Sequence, residues 1–163
     1  MGFSRLDWSA RPDSDVVLVE ARGVRFGQDA VKFLRRLEAV PSVVVVGGEC
    51  DASALALLAA ATLGFVTDDV RVSSDVDTVL ALGLTSVLPA AIGAAPARAL
   101  LLGGPADAGA LRRSGLAASG DPSAAAARLT GPEAALLVRS LRVAARSTRE
   151  QARQYDDELR QLR

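Results

Sequence analysis

The chain has 163 residues, and half of them are hydrophobic, so length and composition predict one folded domain with a substantial core. Its 19 Lys and Arg residues balance 19 Asp and Glu residues, so bulk charge indicates neither a nucleic-acid partner nor an anionic membrane. Histidine is absent and Cys50 is the single cysteine, which excludes histidine acid–base chemistry and an internal disulfide.

The first half of the chain alternates strand and helix patterns. A polar arm over residues 1–14 carries no signal-peptide core, and the sequence nowhere holds an apolar run of about 18 residues, so we expect a cytoplasmic protein without a membrane span. A short strand is predicted over 15–21 and an amphipathic helix over 29–39, with Asp29 as its N-cap. The run 41–46, which ends in four consecutive β-branched valines, is typical of a strand buried on both faces, which favours an α/β fold with parallel pairing.

The second half is mostly helical by pattern. Asp51 or Ser53 can cap a helix that runs to about Leu63, where Gly64 is expected to break it. These elements predict an arm over 1–14, a core over 15–120 and a C-terminal helical segment over 121–163 for oligomerisation or packing. The other predicted elements are strands at 65–66 and 70–72 and helices at 77–84, 86–92, 97–102 and 108–114, the last of these capped by Asp107. A short helix is expected to start at Asp121-Pro122, and Pro132 is expected to open a long helix over 133–163.

The order of these elements resembles the crotonase (enoyl-CoA hydratase/isomerase) superfamily over about residues 15–146. Three stretches carry the resemblance: VVLVEARGVRFGQD at 16–29, LEAVPSVVVVGG at 37–48, and IGAAPARALLLGGPADAGALRRSGL at 92–116. The resemblance implies a truncated crotonase-like ββα spiral with a long C-terminal helix. Since the family's N-terminal strands have no counterpart here, a sheet edge is expected to need a cover.

The resemblance also implies an oxyanion hole, in which two backbone N–H groups bind the oxygen of an acyl thioester. The matching positions are Gln28 and, for the second donor, Ser53 or its neighbours Ala52 and Ala54. The ligand would be a thioester of coenzyme A or of an acyl-carrier protein, with no tightly bound cofactor and no metal. Residues expected to contact the acyl group around these donors are Gly27, Glu49, Asp51, Ala52 and Ala54.

The two glutamates that the family uses for hydration have no counterpart in this sequence. Ala56 and Val76 stand nearest their expected places. Asp75 or Asp77 could supply a general base from the loop before the predicted helix at 77–84. The alternative, which the frequency of Asp at helix N-termini favours, is that they are solvated capping residues.

Two further features allow a functional and a structural interpretation. Cys50 could be a nucleophile, but without a histidine to lower its pKa the sequence favours an inert small residue. Arginines at three- to four-residue spacing form a stripe that could meet coenzyme A phosphates or an acidic carrier protein, or could be a solvated or inter-subunit face. These are Arg139, Arg142, Arg146, Arg149 and Arg153, and the same helix carries apolar positions at Leu137, Leu141, Ala144, Ala152, Tyr155, Leu159 and Leu162.

Together these patterns favour a catalytically eroded crotonase-like protein of secondary metabolism. It would bind an acyl thioester or assist a partner biosynthetic enzyme, and it is similar to the accessory homologues of dihydroxyphenylglycine-type biosynthesis. The resemblance implies a homo-oligomer, a trimer or hexamer. The alternative is an active enoyl-CoA hydratase/isomerase-type lyase that uses the oxyanion hole and Asp75 or Asp77.

Overall fold

This computed structural model describes residues 7–9, 16–27, 30–146, 151 and 158. The described part contains two β-sheets, each with parallel strand pairing, and eight helices. The larger sheet contains β1 (Asp7–Ser9), β2 (Val17–Arg22), β3 (Ser42–Gly47) and β5 (Leu63–Val66), in that spatial order. The smaller sheet contains β4 (Glu49–Cys50), β6 (Arg71–Val72) and β7 (Ala106–Asp107). The helices are α1 (Ala30–Glu38), α2 (Ser53–Ala60), α3 (Val76–Ala81), α4 (Leu84–Ile92), α5 (Ala94–Leu102), α6 (Ala108–Arg113), α7 (Pro122–Leu129) and α8 (Pro132–Arg146).

Strand β3 lies at the centre of the larger sheet. It pairs in parallel with β2 on one side and with β5 on the other, as the sequence predicts. Val44 and Val46 enter the main core, whereas Val43 packs on the opposite face with Phe65 and Ala125. The run of β-branched residues is therefore apolar throughout because both faces of the strand are covered.

Helix α2 is buried almost all round, since seven of its eight residues are buried. Its small residues allow it to pack against both β3 and β5. The helix ends at Ala60, and Gly64, which was expected to break it, instead lies in β5. There, a Cβ on Gly64 would stand 2.8 Å from Leu58 Cδ2 and 2.9 Å from the Leu116 carbonyl oxygen, so the position requires a hydrogen as its side chain.

Three strands are absent from the sequence prediction. Asp7–Ser9, which lie within the predicted polar arm, form β1, which pairs antiparallel with β2. This strand also covers the edge of β2 that was expected to be open. Strands β4 and β7 have two residues each, and both pair with β6, which comes from a different part of the chain. Such short strands leave no periodicity to detect.

The starts of α6 and α7 follow the predicted capping chemistry, whereas the prediction of Asp51 or Ser53 as the cap of α2 is wrong, because the N-cap is Ala52 and has no side-chain cap hydrogen bond. The carboxylates of Asp107 and Asp121 accept backbone N–H groups at the starts of α6 and α7. Pro132 begins α8, as predicted, and α8 is described to Arg146. The N-cap at Asp29 and the apolar positions of the predicted final helix beyond Arg146 lie outside the described residues. Among the helices that the structure describes, we find none with both the length and the apolar character needed to cross a bilayer.

The turn Thr67–Asp69 is tied to two neighbouring elements. Asp69 pairs with Arg22 at the end of β2, and Asp68 lies 3.0 Å from Arg112 of α6. Thr67 Oγ1 hydrogen-bonds to Asp69 and sits directly over Gly47, where any Cβ would collide with it. Hydrogen bonding from Arg22 and Thr67 holds the pKa of the Asp69 carboxyl below its usual range, the Thr67 hydroxyl being the larger cause.

Replacing Gly64 tests the packing between β5 and α2. Gly64→Ala is expected to lower the free energy of unfolding by about 1–3 kcal/mol, because the added methyl must displace Leu58 or the Leu116 carbonyl. Urea unfolding followed by circular dichroism measures the change. Gly27→Ala is the matched control, because a Cβ there meets nothing within 4 Å. Equal unfolding midpoints for the two variants would contradict the packing argument.

Candidate functional site

Two chain segments meet at the carboxyl ends of β2 and β4 and are joined by three hydrogen bonds. The Val24 N–H donates to Cys50 Sγ (3.3 Å), and the Asp51 N–H donates to the Val24 carbonyl (3.3 Å). The Phe26 N–H donates to Ser53 Oγ (3.0 Å). The loop after β2 is thus held against the start of α2, at the place where the sequence predicts the oxyanion hole.

The predicted second donor, the Ser53 N–H, has an acceptor within the chain. It donates to Asp51 Oδ1 at 2.8 Å, and the Ala54 N–H donates to the Asp51 carbonyl at 3.1 Å. Ser53, Ala54 and Ala52 are fully buried. A thioester oxygen would therefore have to displace an existing hydrogen bond at either N–H, and the Asp51 carboxylate is a stronger acceptor than a thioester carbonyl.

The predicted first donor, Gln28, lies outside the described residues and stays a prediction. Its neighbour Gly27 is exposed, and its carbonyl accepts the N–H of Ala30 at 3.2 Å as α1 begins. The structure therefore brings Ser53 to Phe26, two residues before the predicted donor. No sequence pattern indicates that Phe26 donates its N–H to Ser53.

Cys50 is bonded to the loop after β2 rather than directed to solvent. Besides accepting the Val24 N–H, its sulfur lies 3.5 Å from the Gly47 carbonyl oxygen. Burial raises the pKa of the Cys50 thiol, and the nearby Asp51 and Glu49 carboxylates raise it further. A thiol held protonated is a poor nucleophile, in agreement with the interpretation of Cys50 as an inert small residue.

The segment that carries Asp75 and Asp77 begins beside the carboxyl end of β4. The Ser73 N–H donates to the Cys50 carbonyl at 3.0 Å, and two residues later Asp75 caps α3 by accepting the Thr78 N–H at 2.7 Å. That hydrogen bond, with a second from the Thr78 hydroxyl, lowers the pKa of the Asp75 carboxyl. Asp77 is exposed in the first turn of α3, and Val76 between them is exposed as well.

The remaining predicted residues are spread over the surface and the core. Glu49 is exposed on β4, in register with Arg71, and Asp51 is half-buried. Ala56 is buried in the core cluster, so no carboxylate faces a ligand from that position of α2. Among the described residues, no group of His, Cys, Asp and Glu side chains could hold a metal ion.

A larger open cleft lies at the other end of α2. It has a volume of about 510 Å³ and is lined by residues 58–64 together with parts of α4 and α8. A second cleft, of about 410 Å³, lies between α8 and the segment 38–41. Neither cleft includes a residue predicted for the oxyanion hole, for the acyl contact or as the general base. Arg142 lines both clefts, and the arginine spacing was the one signal in the sequence that pointed to it.

Solved structures that are similar to this chain include several named as enoyl-CoA hydratases or enoyl-CoA hydratase/isomerases. An enoyl-CoA hydratase/isomerase from Cupriavidus metallidurans CH34 matches with a TM-score of 0.66 and 16% identity, over 96% of this chain and 88% of that one. An enoyl-CoA hydratase from Thermoplasma volcanium GSS1 matches with a TM-score of 0.68 and 15% identity, over 82% of this chain and 59% of that one. The chain has the crotonase fold.

This finding confirms the predicted fold class. The chain spans only about three-fifths of the Thermoplasma enzyme, whereas it spans most of the Cupriavidus protein. No protein-family model and no curated protein matches the sequence. At these identities the structural likeness establishes the fold alone, so the similarity to accessory homologues of dihydroxyphenylglycine-type biosynthesis stays a prediction.

Replacing Ser53 tests the hydrogen bond that closes the loop after β2. Ser53→Ala is expected to cost about 1–3 kcal/mol of unfolding free energy, because the Phe26 N–H loses its acceptor in a water-poor position. Ser123→Ala, on the exposed start of α7, is the control and should stay within about 0.5 kcal/mol. Chemical denaturation measures both, and an unchanged Ser53→Ala stability would show that the hydrogen bond is dispensable.

The pH dependence of stability tests the role of Asp75 as a cap. Because its pKa in the folded chain lies below the ordinary 3.8, its stabilisation is complete above that value and is lost as the pH falls through the lowered pKa. Asp75→Ala should therefore lower the Tm at pH 7, and the difference from the unmodified chain should shrink below pH 3.8. Asp77→Ala is the control. An equal loss for both variants at pH 7 would argue against capping.

Proposed function

We propose that this protein is a crotonase-fold protein without hydratase or isomerase activity, which acts by assisting a partner biosynthetic enzyme. The observation that carries the proposal is the pair of internal hydrogen bonds at Ser53, whose N–H donates to Asp51 and whose hydroxyl accepts from Phe26. An oxyanion hole works through N–H groups that are preorganised and free to meet developing charge. Here the N–H groups of Ser53 and Ala54 have acceptors of their own.

The carboxylates of the site support the same proposal. Ala56 offers no acid or base on α2, and the Asp75 carboxylate is a helix cap with a lowered pKa. Lowering the pKa of a carboxylate makes it a weaker base and disfavours the protonated form that a general acid needs. Neither half of an acid–base pair is thus placed as hydration of a double bond requires.

The partner and the oligomer are further parts of the proposal. Leu137 and Leu141 lie one turn apart on α8 and are both largely exposed, which is typical of a helix face that meets another surface. We propose that the protein is a cytoplasmic homo-oligomer, a trimer or hexamer, in secondary metabolism. An acyl thioester of coenzyme A or of a carrier protein is then the ligand of the partner enzyme, or is bound here weakly without turnover.

One observation favours an active lyase as the second candidate. The Ser73 N–H donates to the Cys50 carbonyl, so the segment that carries Asp75 and Asp77 begins beside the edge where Ser53 lies. A shift of that segment could bring Asp77, which caps nothing in the described structure, toward a thioester at Ser53. The two candidates differ in whether the isolated chain turns over a thioester.

The turnover assay distinguishes these candidates. The purified chain is incubated with a short-chain 2-enoyl-CoA, and hydration is followed by loss of the conjugated thioester absorbance. We expect no rate above the uncatalysed background. Turnover that disappears in Asp75→Asn plus Asp77→Asn, while Asp121→Asn retains it, would replace the proposal with the lyase.

Association with a partner is tested separately. Biosynthetic enzymes encoded beside this chain are expressed with and without it, and their specific activity and co-purification are measured. We expect one of them to co-purify with the chain and to gain activity from it. If none associates with the chain or changes its rate, the partner role is wrong even where the chain has no turnover of its own.

A further inference from the structure

Val138 and Arg142, which lie one turn apart on α8, contact the rest of the protein. Val138 is buried, and the guanidinium of Arg142 donates from one nitrogen to the Val40 carbonyl (2.6 Å) and to Thr62 Oγ1 (3.1 Å). These acceptors follow α1 and α2 respectively, so one side chain of α8 bridges the starts of two strands of the sheet. A charged donor makes such hydrogen bonds stronger than neutral ones.

The segments that accept hydrogen bonds from Arg142 are also joined to each other by hydrogen bonds that do not involve α8. Thr62 Oγ1 accepts the Ser42 N–H (3.0 Å), and the Thr62 N–H donates to Ser42 Oγ (3.1 Å). Ser42 is fully buried at the start of β3. This reciprocal pair joins β3 to the loop before β5 without help from α8, so the sheet keeps its own hydrogen bonds when the arginine leaves.

The contact of α8 with the body is narrow. Both clefts, of about 510 and 410 Å³, are lined by Glu38, Val138 and Arg142, so an open space lies on each side of the same line of contact. Next to this line, Leu137 and Leu141 remain 65% and 69% exposed. A helix that packed firmly on the core would bury positions adjacent to its line of contact.

We propose that α8 is a releasable strap, fastened by Arg142, that opens as a unit while the sheet stays folded. Opening would uncover Val138 and join the two clefts into one groove beside Glu38. Local opening of this kind is expected where few apolar contacts hold an element and a few polar contacts decide its position. The proposal concerns the attachment of α8 and does not depend on whether the chain has catalytic activity.

Hydrogen exchange measured by mass spectrometry tests the strap in the full chain. Arg142→Met keeps the aliphatic stem but removes the donors, so exchange of peptides within 132–146 should become about tenfold faster or more. Peptides from β2, β3 and β5 should keep their protection. Arg139→Met, an exposed arginine on the same helix, is the matched control and should leave exchange in 132–146 unchanged.

Each result is decisive. If Arg142→Met and Arg139→Met show the same exchange in 132–146, Arg142 does not fasten the helix. If Arg142→Met raises exchange in β3 as much as in α8, the helix is an integral part of the core and the strap is wrong. Arg142→Lys keeps the charge with a different donor geometry, and intermediate exchange confined to α8 would support the role of the two hydrogen bonds.

Discussion

Burial of β3 on both faces is the constraint on which the rest of the structure depends. A strand covered on both sides must carry apolar side chains, as Val43 to Val46 do, or polar ones with a hydrogen-bond partner, as Ser42 has in Thr62, and its two edges must each find a partner strand. Strands β2 and β5 hydrogen-bond to the backbone of β3 at its two edges. Helix α2 covers the face that carries Val44, and α7 covers the face that carries Val43. The directions of the loops that follow β2 and β3, and therefore the position of the candidate site, result from this parallel arrangement.

The candidate site is an edge at which the chain satisfies its own polar groups. Cys50, Asp51 and Ser53 each take part in a hydrogen bond with the loop after β2, and Asp51 also bonds to the Ser53 N–H. A fold determines where backbone N–H groups point, but nearby side chains decide whether those groups have acceptors already. Proteins of one fold can therefore differ in chemistry through two side chains.

The sequence predicts well those elements whose signal is local. The apolar run at 43–46 and the aspartates at 107 and 121 each depend on residues within one element, and the structure places them as predicted. Strands β4 and β7 depend on pairing with β6, and no local pattern reports such pairing. Gly64 was misassigned because a glycine after a helical run signals a stop, whereas here its role is close packing against Leu58.

The candidate site shows the same difference between residue roles that can be predicted from the sequence and contacts that cannot. Asp51 and Ser53 were both recognised as capping candidates, but the spacing does not show that Asp51 would bond to the N–H that the resemblance assigns to a ligand. Arg142 belongs to a recognisable arginine stripe, yet its acceptors lie 102 and 80 residues away in the chain. Contacts between distant parts of the chain decide the position of Arg142, whereas the Asp51–Ser53 hydrogen bond spans two residues and depends on the backbone geometry before α2.

The close approach of Gly47 to Thr67 has a consequence for how this chain can diverge. Because the Thr67 hydroxyl occupies the space that a side chain at position 47 would need, the two positions are not independent. A homologue can carry alanine or a larger residue at position 47 only where position 67 has lost its hydroxyl or the turn before β6 has moved. Covariation of these two positions, accompanied by loss of the Arg22–Asp69 pair, would mark the branch at which that turn was rebuilt.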